Sequence, residues 1–182
     1  MWQFLRSLFK SPNSTQAWKE ELSVDLVVDL DRHRLCGLGI GDWLAGLVHL
    51  GPAKMTGSMI FFPGKGISVG FKAGVITSFA AYVAASPEEG VGRFTGWFIY
   101  RDRLLALSEE TGEKELIEIF GPPYWRDQDE DEVILFYEFG EYEWQVEMSL
   151  KDRLKVFVIS EPILADPKQR AAYGVTKPWP AI

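Results

Sequence analysis

The densest group of side chains capable of chemistry in this 182-residue chain is Asp127-Gln128-Asp129-Glu130-Asp131-Glu132. Together with Glu138 it places Asp127, Asp129, Asp131 and Glu138 at positions 1, 3, 5 and 12 of a calcium-binding loop, where hard oxygen donors would surround the ion. Such a loop also needs a glycine at position 6 for its sharp turn, and a helix on either side. Glu132 stands at position 6, Pro122-Pro123 come before the run and an apolar strand, 133–137, comes after it. The expectation is therefore a solvated acidic loop without metal, whose charges guard that strand against edge pairing.

Other motifs fail for equally specific reasons. Gly37-Leu38-Gly39-Ile40-Gly41 suggests a dinucleotide turn, but the fingerprint wants its third glycine where Asp42 sits, and a carboxylate there repels phosphate. Asp42 reads instead as the N-cap of a helix. Gly64-Lys65-Gly66 lacks the rest of a phosphate-binding loop and reads as a hairpin turn. A nucleophilic serine, threonine or cysteine usually needs a base nearby, and the chain has two histidines, His33 in a charged turn and His49 near a helix end. Cys36, in a short strand beside Leu35, reads as a small core residue. Glu110, Glu113, Glu115 and Glu118 read as the wet face of a helix. No catalytic residue and no cofactor is expected.

The group with a composition suited to binding follows that helix. Pro122-Pro123 stiffens the chain, Tyr124 and Trp125 come next, and Arg126, Asp127, Asp129 and Asp131 ring them with charge. Rigid aromatics rimmed by charge make an interface hot spot, in which the rings contribute area and the rim steers encounter. A second reading of Trp125 stands beside this one: the ring tucks under the sheet and closes the core.

These residues need elements to position them, and the chain presents two similar series. Segments 31–53 and 102–123 each run from a charged turn through a short apolar strand (35–38 or 104–107) to a helix that starts at Gly41-Asp42 or Thr111-Gly112-Glu113. Each helix ends at Gly-Pro, with Gly51 and Gly121 70 positions apart (121 − 51). Three strand-like runs follow each stop: 58–62, 66–72 and 75–83, then 132–138, 142–149 and 154–160. Alternation puts Tyr142, Trp144, Val146 and Met148 on a buried face and Glu143, Gln145, Glu147 and Ser149 on a wet one. Val24, Leu26, Val28 and Leu30 alternate likewise before the first series, and 94–100 precedes the second.

The expected fold is α+β: antiparallel sheet or sheets with one helix per repeat packed on one face, in two tandem strand-strand-helix-three-strand units. Units 23–85 and 91–160 join at 86–90. They are preceded by an amphipathic segment and linker (1–22) and followed by a proline-rich closing segment (161–182). In that last segment a short helix is expected from Asp166-Pro167 to Gly174, with Trp179 as a plug. Segment 1–10 carries Trp2, Leu5, Leu8 and Phe9 at helical spacing and is expected to be a short helix docked on the core or a partner, with an interfacial membrane anchor as the alternative. It lacks the pattern of a secretory signal and is too short to span a bilayer.

A formal net charge of −7 and a pI near 4.9, with 19 lysines and arginines scattered along the chain, argue against nucleic acid as partner. One cysteine cannot close an internal disulfide, so the expected compartment is the cytoplasm. The layout of a helix ending in Gly51-Pro52 or Gly121-Pro122 followed by an antiparallel meander, twice in tandem, resembles that of the β-lactamase inhibitor protein and related small lipoproteins of outer-membrane assembly. The likeness covers roughly residues 23–160 and implies a protein that binds other proteins and catalyses nothing. The chain departs from that group in lacking a secretory signal and paired cysteines. The function expected is non-enzymatic binding of a protein partner, one of basic charge suiting this acidic chain, in the manner of inhibitors and immunity proteins. The alternative is a small-molecule or carbohydrate binder, or an enzyme, with a cleft between the two units lined by Trp97, Tyr100 and Trp144.

Overall fold

The structure, a computed structural model, describes residues 14–21 and 25–177. Segment 1–10, Pro12-Asn13, Val24 and Trp179 lie outside the described residues. The chain divides into two compact units, Met1–Ala106 and Leu107–Ile182.

In the first unit, β1 (Val27–Asp29), β2 (Arg34–Leu35) and β3 (Leu38–Gly39) join β8 (Trp97–Tyr100) and β9 (Arg103–Leu105) in the order β3-β2-β1-β8-β9. β1 and β8 run parallel, with Val28 opposite Phe98. Both are buried, as are Leu30 and Leu35, so one face of this small sheet supplies core. β2 and β3 are so short because Cys36 and Gly37 take positive φ and reverse the chain between them. Cys36 is therefore a free, half-buried turn residue and not a strand residue. β4 (Lys54–Thr56), β5 (Met59–Phe62), β6 (Ile67–Lys72) and β7 (Val75–Tyr82) then form an antiparallel meander around Ile60, Phe62, Ile67, Val69 and Phe79.

The second unit opens with α1 (Glu113–Phe120) and continues through β10 (Trp125–Gln128), β11 (Glu132–Phe139), β12 (Tyr142–Ser149) and β13 (Arg153–Ser160), adjacent in that order and antiparallel. Leu116 is fully buried. Phe120 packs against Tyr137, Trp144 and Phe157 with centroids 5.4–6.0 Å apart. A carboxylate from the β12–β13 turn starts α1: Asp152 accepts the Glu113 amide at 2.7 Å. A Cβ on Gly112 would lie 2.7 Å from that carboxylate, which explains the glycine. α2 (Pro167–Ala172) begins where Asp166 accepts the Lys168 amide, and Gly174 follows it at φ +70°.

The expectation of an α+β fold with one helix per repeat is overturned. Thirteen strands stand among the described residues against one α-helix of two turns and the six-residue α2, so the protein is mostly β. In the first series the expected helix is a single 3-10 turn, Leu44–Leu47. Gly46 explains the failure: a Cβ there would sit 2.8 Å from Leu38, so close packing selects glycine, which weakens a helix by about 1 kcal/mol relative to alanine. Bonds three residues apart, such as Gly46 to Trp43, fill the segment. Asp42 is not a helix N-cap either, since its carboxylate accepts the Gly39 amide behind it. The Gly-Pro stops do share a positive φ, +88° at Gly51 and +85° at Gly121. Each meander carries a fourth strand, β4 and β10, that apolar alternation alone does not mark.

The wet face of β12 also needs correction. Trp144 is 1% exposed, as alternation demands, but Glu143 on the opposite face is 0% exposed. Residues 163–177 supply groups that cover it, and nothing in the alternation of β12 announces a cover arriving from later in the chain.

Candidate functional site

The six residues that sequence composition marks for partner binding do not form a loop. Trp125, Arg126 and Asp127 belong to β10, Tyr124 immediately precedes it, and Asp129 and Asp131 lie in the hairpin that joins β10 to β11. β10 is the terminal strand of its sheet. Tyr124 and Trp125 are half-buried, whereas Arg126, Asp127, Asp129 and Asp131 are exposed.

The two aromatics face different neighbours. The Trp125 ring stacks on Phe136, its cross-strand partner, at 4.3 Å and 21°, and lies 5.5 Å from Tyr173. It thus rests against the sheet face while keeping an open edge. Tyr124 donates its hydroxyl to Glu143 at 2.6 Å. Arg126 reaches α1, with Nε 2.9 Å from Glu113, and its Nη1 donates to Gln128 at 2.9 Å. The hairpin charges are held by local bonds: Asp129 accepts the Asp131 and Glu132 amides at 2.8 and 2.9 Å, which lowers its pKa. Asp129 thus serves the turn itself. Among the described residues no three histidine, cysteine or acidic side chains are placed to hold a metal ion.

Behind Tyr124 lies a cluster that sequence reasoning missed. Glu138 and Glu143 are direct cross-strand partners, and both side chains are fully buried. Two carboxylates so placed repel unless cations reach them. Arg170 of α2, itself 2% exposed, bonds to Glu138, and Lys177 stands 3.0 Å from the other Glu138 oxygen. Arg170 also donates to the Leu164 and Lys177 carbonyls, and both cations lie over the Tyr124 ring at 5.0 and 5.3 Å. Glu143 has neutral donors instead: Tyr124, Gln145 at 3.1 Å and the Ile163 amide at 3.4 Å. Burial raises its pKa, these bonds pull it down and the Glu138 charge adds to the rise, leaving it above the ordinary carboxylate range. Burial raises the Tyr124 pKa as well, reinforced by Glu143. The buried Glu143 carboxyl and the half-buried Tyr124 phenol thus help to fasten residues 163–177 to the sheet. A lone glutamate inside Val133–Phe139, otherwise apolar or aromatic, is the sequence signal that could have marked the cluster.

On the other face of the sheet, beside α1, lies an open groove of about 680 Å³. Val133 and Met148 form a buried floor, flanked by Ile117 and Leu150, while Lys114, Glu118, Arg126 and Gln128 stand at its rim. Burial pushes the nearby Tyr137 hydroxyl, which the Glu113 charge also influences, up to about 12. The residues named for the alternative cleft are differently disposed: Trp97 is exposed and Tyr100 half-buried, but Trp144 is enclosed in the aromatic core of the second unit and offers no surface.

No helix among the described residues is long and apolar enough to cross a membrane. No protein-family model matches the chain, and no curated protein matches it. Among solved structures it is similar to a DUF4309 family protein (YjgB) from Bacillus subtilis subsp. subtilis str. 168, at 13% identity and a TM-score of 0.36, over 53% of this chain and 56% of that one. The match thus spans little more than half of either chain.

Proposed function

We propose that this is a non-enzymatic binding protein that engages a basic protein partner at the edge of its second unit, through Tyr124, Trp125, Arg126, Asp127, Asp129 and Asp131. The observation that carries the reading is the placement of all six at or beside a terminal strand, with an exposed acidic hairpin at its end. An unprotected edge invites pairing with a second copy, and like charge opposes that, while the same charge attracts a cationic surface. The free, half-buried Cys36 suits a reducing compartment, and cytoplasmic action is part of this proposal.

The test compares immobilised wild type with the triple variant Asp127→Lys, Asp129→Lys, Asp131→Lys in native cell lysate. A partner retained by wild type, released by added salt and lost on the triple reversal is the expected result. Retention that ignores both salt and the reversal would end the reading. The groove favours a second reading, a small-molecule or carbohydrate binder. A compound that raises the melting temperature of wild type but not of Ile117→Lys would support it.

A further inference from the structure

We infer that an extended, basic segment of the partner adds to β10 as a new strand, every second side chain lying beside Arg126 and Gln128 at the rim of the groove next to α1. The inference rests on the protein-binding reading above and names the mode of binding.

Hydrogen-bond parity supplies the first argument. In an antiparallel pair, hydrogen-bonded and non-bonded residue pairs alternate. The Asp129 amide donates to the Glu132 carbonyl at 3.1 Å, which makes that pair a bonded one. Two residues back, Asp127 opposite Ile134 is bonded, and then Trp125 opposite Phe136. The Tyr124 amide also donates to Phe136, so the ladder ends there. Arg126 and Gln128 consequently turn their main-chain N–H and C=O groups away from β11. Among the described residues β10 has no strand on that side. The outward groups form a short template for main-chain pairing, the basis of strand-addition recognition.

Side-chain geometry supplies the second argument. Arg126 and Gln128, the residues with outward main-chain groups, also line the groove. A strand paired with them places every second side chain beside those of Arg126 and Gln128 on the α1 face, at the rim of the groove, while Val133 and Met148 lie two and three strand spacings further in. Charge decides the rest of the segment. The exposed acids Asp127, Asp129, Glu130 and Asp131 stand at the end of β10, and Glu118 is on the far rim. The cations nearby are already engaged, Arg126 by Glu113 and Lys114 by Glu118 at 3.9 Å. A segment alternating basic with β-branched side chains suits both the acidic end of β10 and an extended conformation.

The probe is a short fluorescent peptide alternating lysine and valine, measured by anisotropy against the full chain. Two control peptides separate the terms: the same sequence N-methylated at every second residue, which cannot pair, and an oligolysine of equal charge. Binding is expected to weaken about tenfold or more on N-methylation and on Gln128→Pro, which removes one outward N–H, while Gln128→Ala, which keeps it, binds nearly as wild type. The N-methylated peptide tests the mode on wild type, so a folding defect in Gln128→Pro cannot decide the matter. Equal binding of oligolysine and of the N-methylated peptide would overturn strand addition, as would absence of binding by the alternating peptide. A lysate partner lost on the triple charge reversal yet indifferent to Gln128→Pro would also overturn strand addition, while leaving the protein-binding reading in place.

Discussion

The two faces of the sheet in the second unit are closed by opposite chemistries. On one face α1 lays Leu116 and Phe120 onto Tyr137, Trp144 and Phe157, a cover made almost wholly of rings and branched chains. On the other, residues from Ile163 to Lys177 close over Glu138 and Glu143 with an arginine, a lysine and a peptide amide. An apolar cover gains from area removed from water and tolerates small displacements. A charged cover repays its desolvation only when each donor meets its acceptor, so it fixes one position and no other. The first closure therefore supplies stability, and the second specifies where the end of the chain must lie.

The largest effect is expected on the apolar face. Trp144→Ala removes a ring in contact with Phe120, Phe139, Tyr137 and Phe157 and should cost about 3–5 kcal/mol in chemical denaturation, with the loss independent of salt. On the charged face Arg170→Met leaves Glu138 buried without its main partner and should cost nearly as much, about 3–5 kcal/mol. The faces separate in the double variant Glu138→Gln with Arg170→Met, which should be more stable than Arg170→Met alone because no uncompensated charge remains. Equal stability of the double variant and Arg170→Met would show that packing, not charge, holds the C-terminal segment.

A smaller effect tests the same face by pH. Burial raises the Glu143 pKa above its unfolded value, so the native state holds this proton more tightly than the unfolded chain does. Below the ordinary glutamate range both states are protonated and the difference contributes nothing lost. As pH rises from there through the raised native value, the unfolded chain ionises first and stability falls; above that value the loss is complete. The Glu143→Gln variant lacks this loss, and the gap between its melting temperature and that of wild type should move in its favour as pH rises across that window. A gap that stays constant with pH would mean that folding does not shift the carboxyl's pKa, and a gap that moves in favour of wild type would mean that the fold holds it ionised.

How much of this was legible follows from the range of the interactions. The alternation of β12 marks Trp144, Val146 and Met148 as core, because one sheet face packing on apolar groups leaves a period of two in the chain itself. The chain stops at Gly51-Pro52 and Gly121-Pro122 were legible locally too, because proline forbids continuation of a helix and glycine accepts the positive φ found at both. The first helix was misread because Gly46 answers to Leu38, a contact that only the folded chain creates. β10 escaped notice because an edge strand needs apolar groups on few positions, and Trp125 is its one large apolar residue. The burial of Glu143 involves the Ile163 amide, 20 residues later (163 − 143), and a register that sets it opposite Glu138, whose own partner Arg170 lies 32 residues beyond it (170 − 138). For the candidate site, composition picked out the residues, but only strand pairing reveals that they form an edge.

The smallest effects on stability are expected at that edge, and they separate the surface from the closure behind it. Trp125 is half-buried, stacked on Phe136 and beside Tyr173, so Trp125→Ala gives up two aromatic pairs and should cost about 1–2 kcal/mol, well below Trp144→Ala. The hairpin acids touch little beyond their own backbone, and the triple charge reversal should cost at most about 1 kcal/mol, through the two amides that Asp129 no longer accepts. Its effect belongs to encounter: association with a cationic partner should slow by about tenfold at low salt, with the difference fading as salt rises. The dissociation rate, by contrast, should respond to Trp125→Ala, because the ring keeps an open edge on the face of β10 that carries Asp127 and Asp129, where a partner's basic side chains would lie. If the reversal instead unfolds the protein while Trp125→Ala does not, the acidic hairpin belongs with the buried cluster as a structural device, and the division between a closed face and an open edge fails.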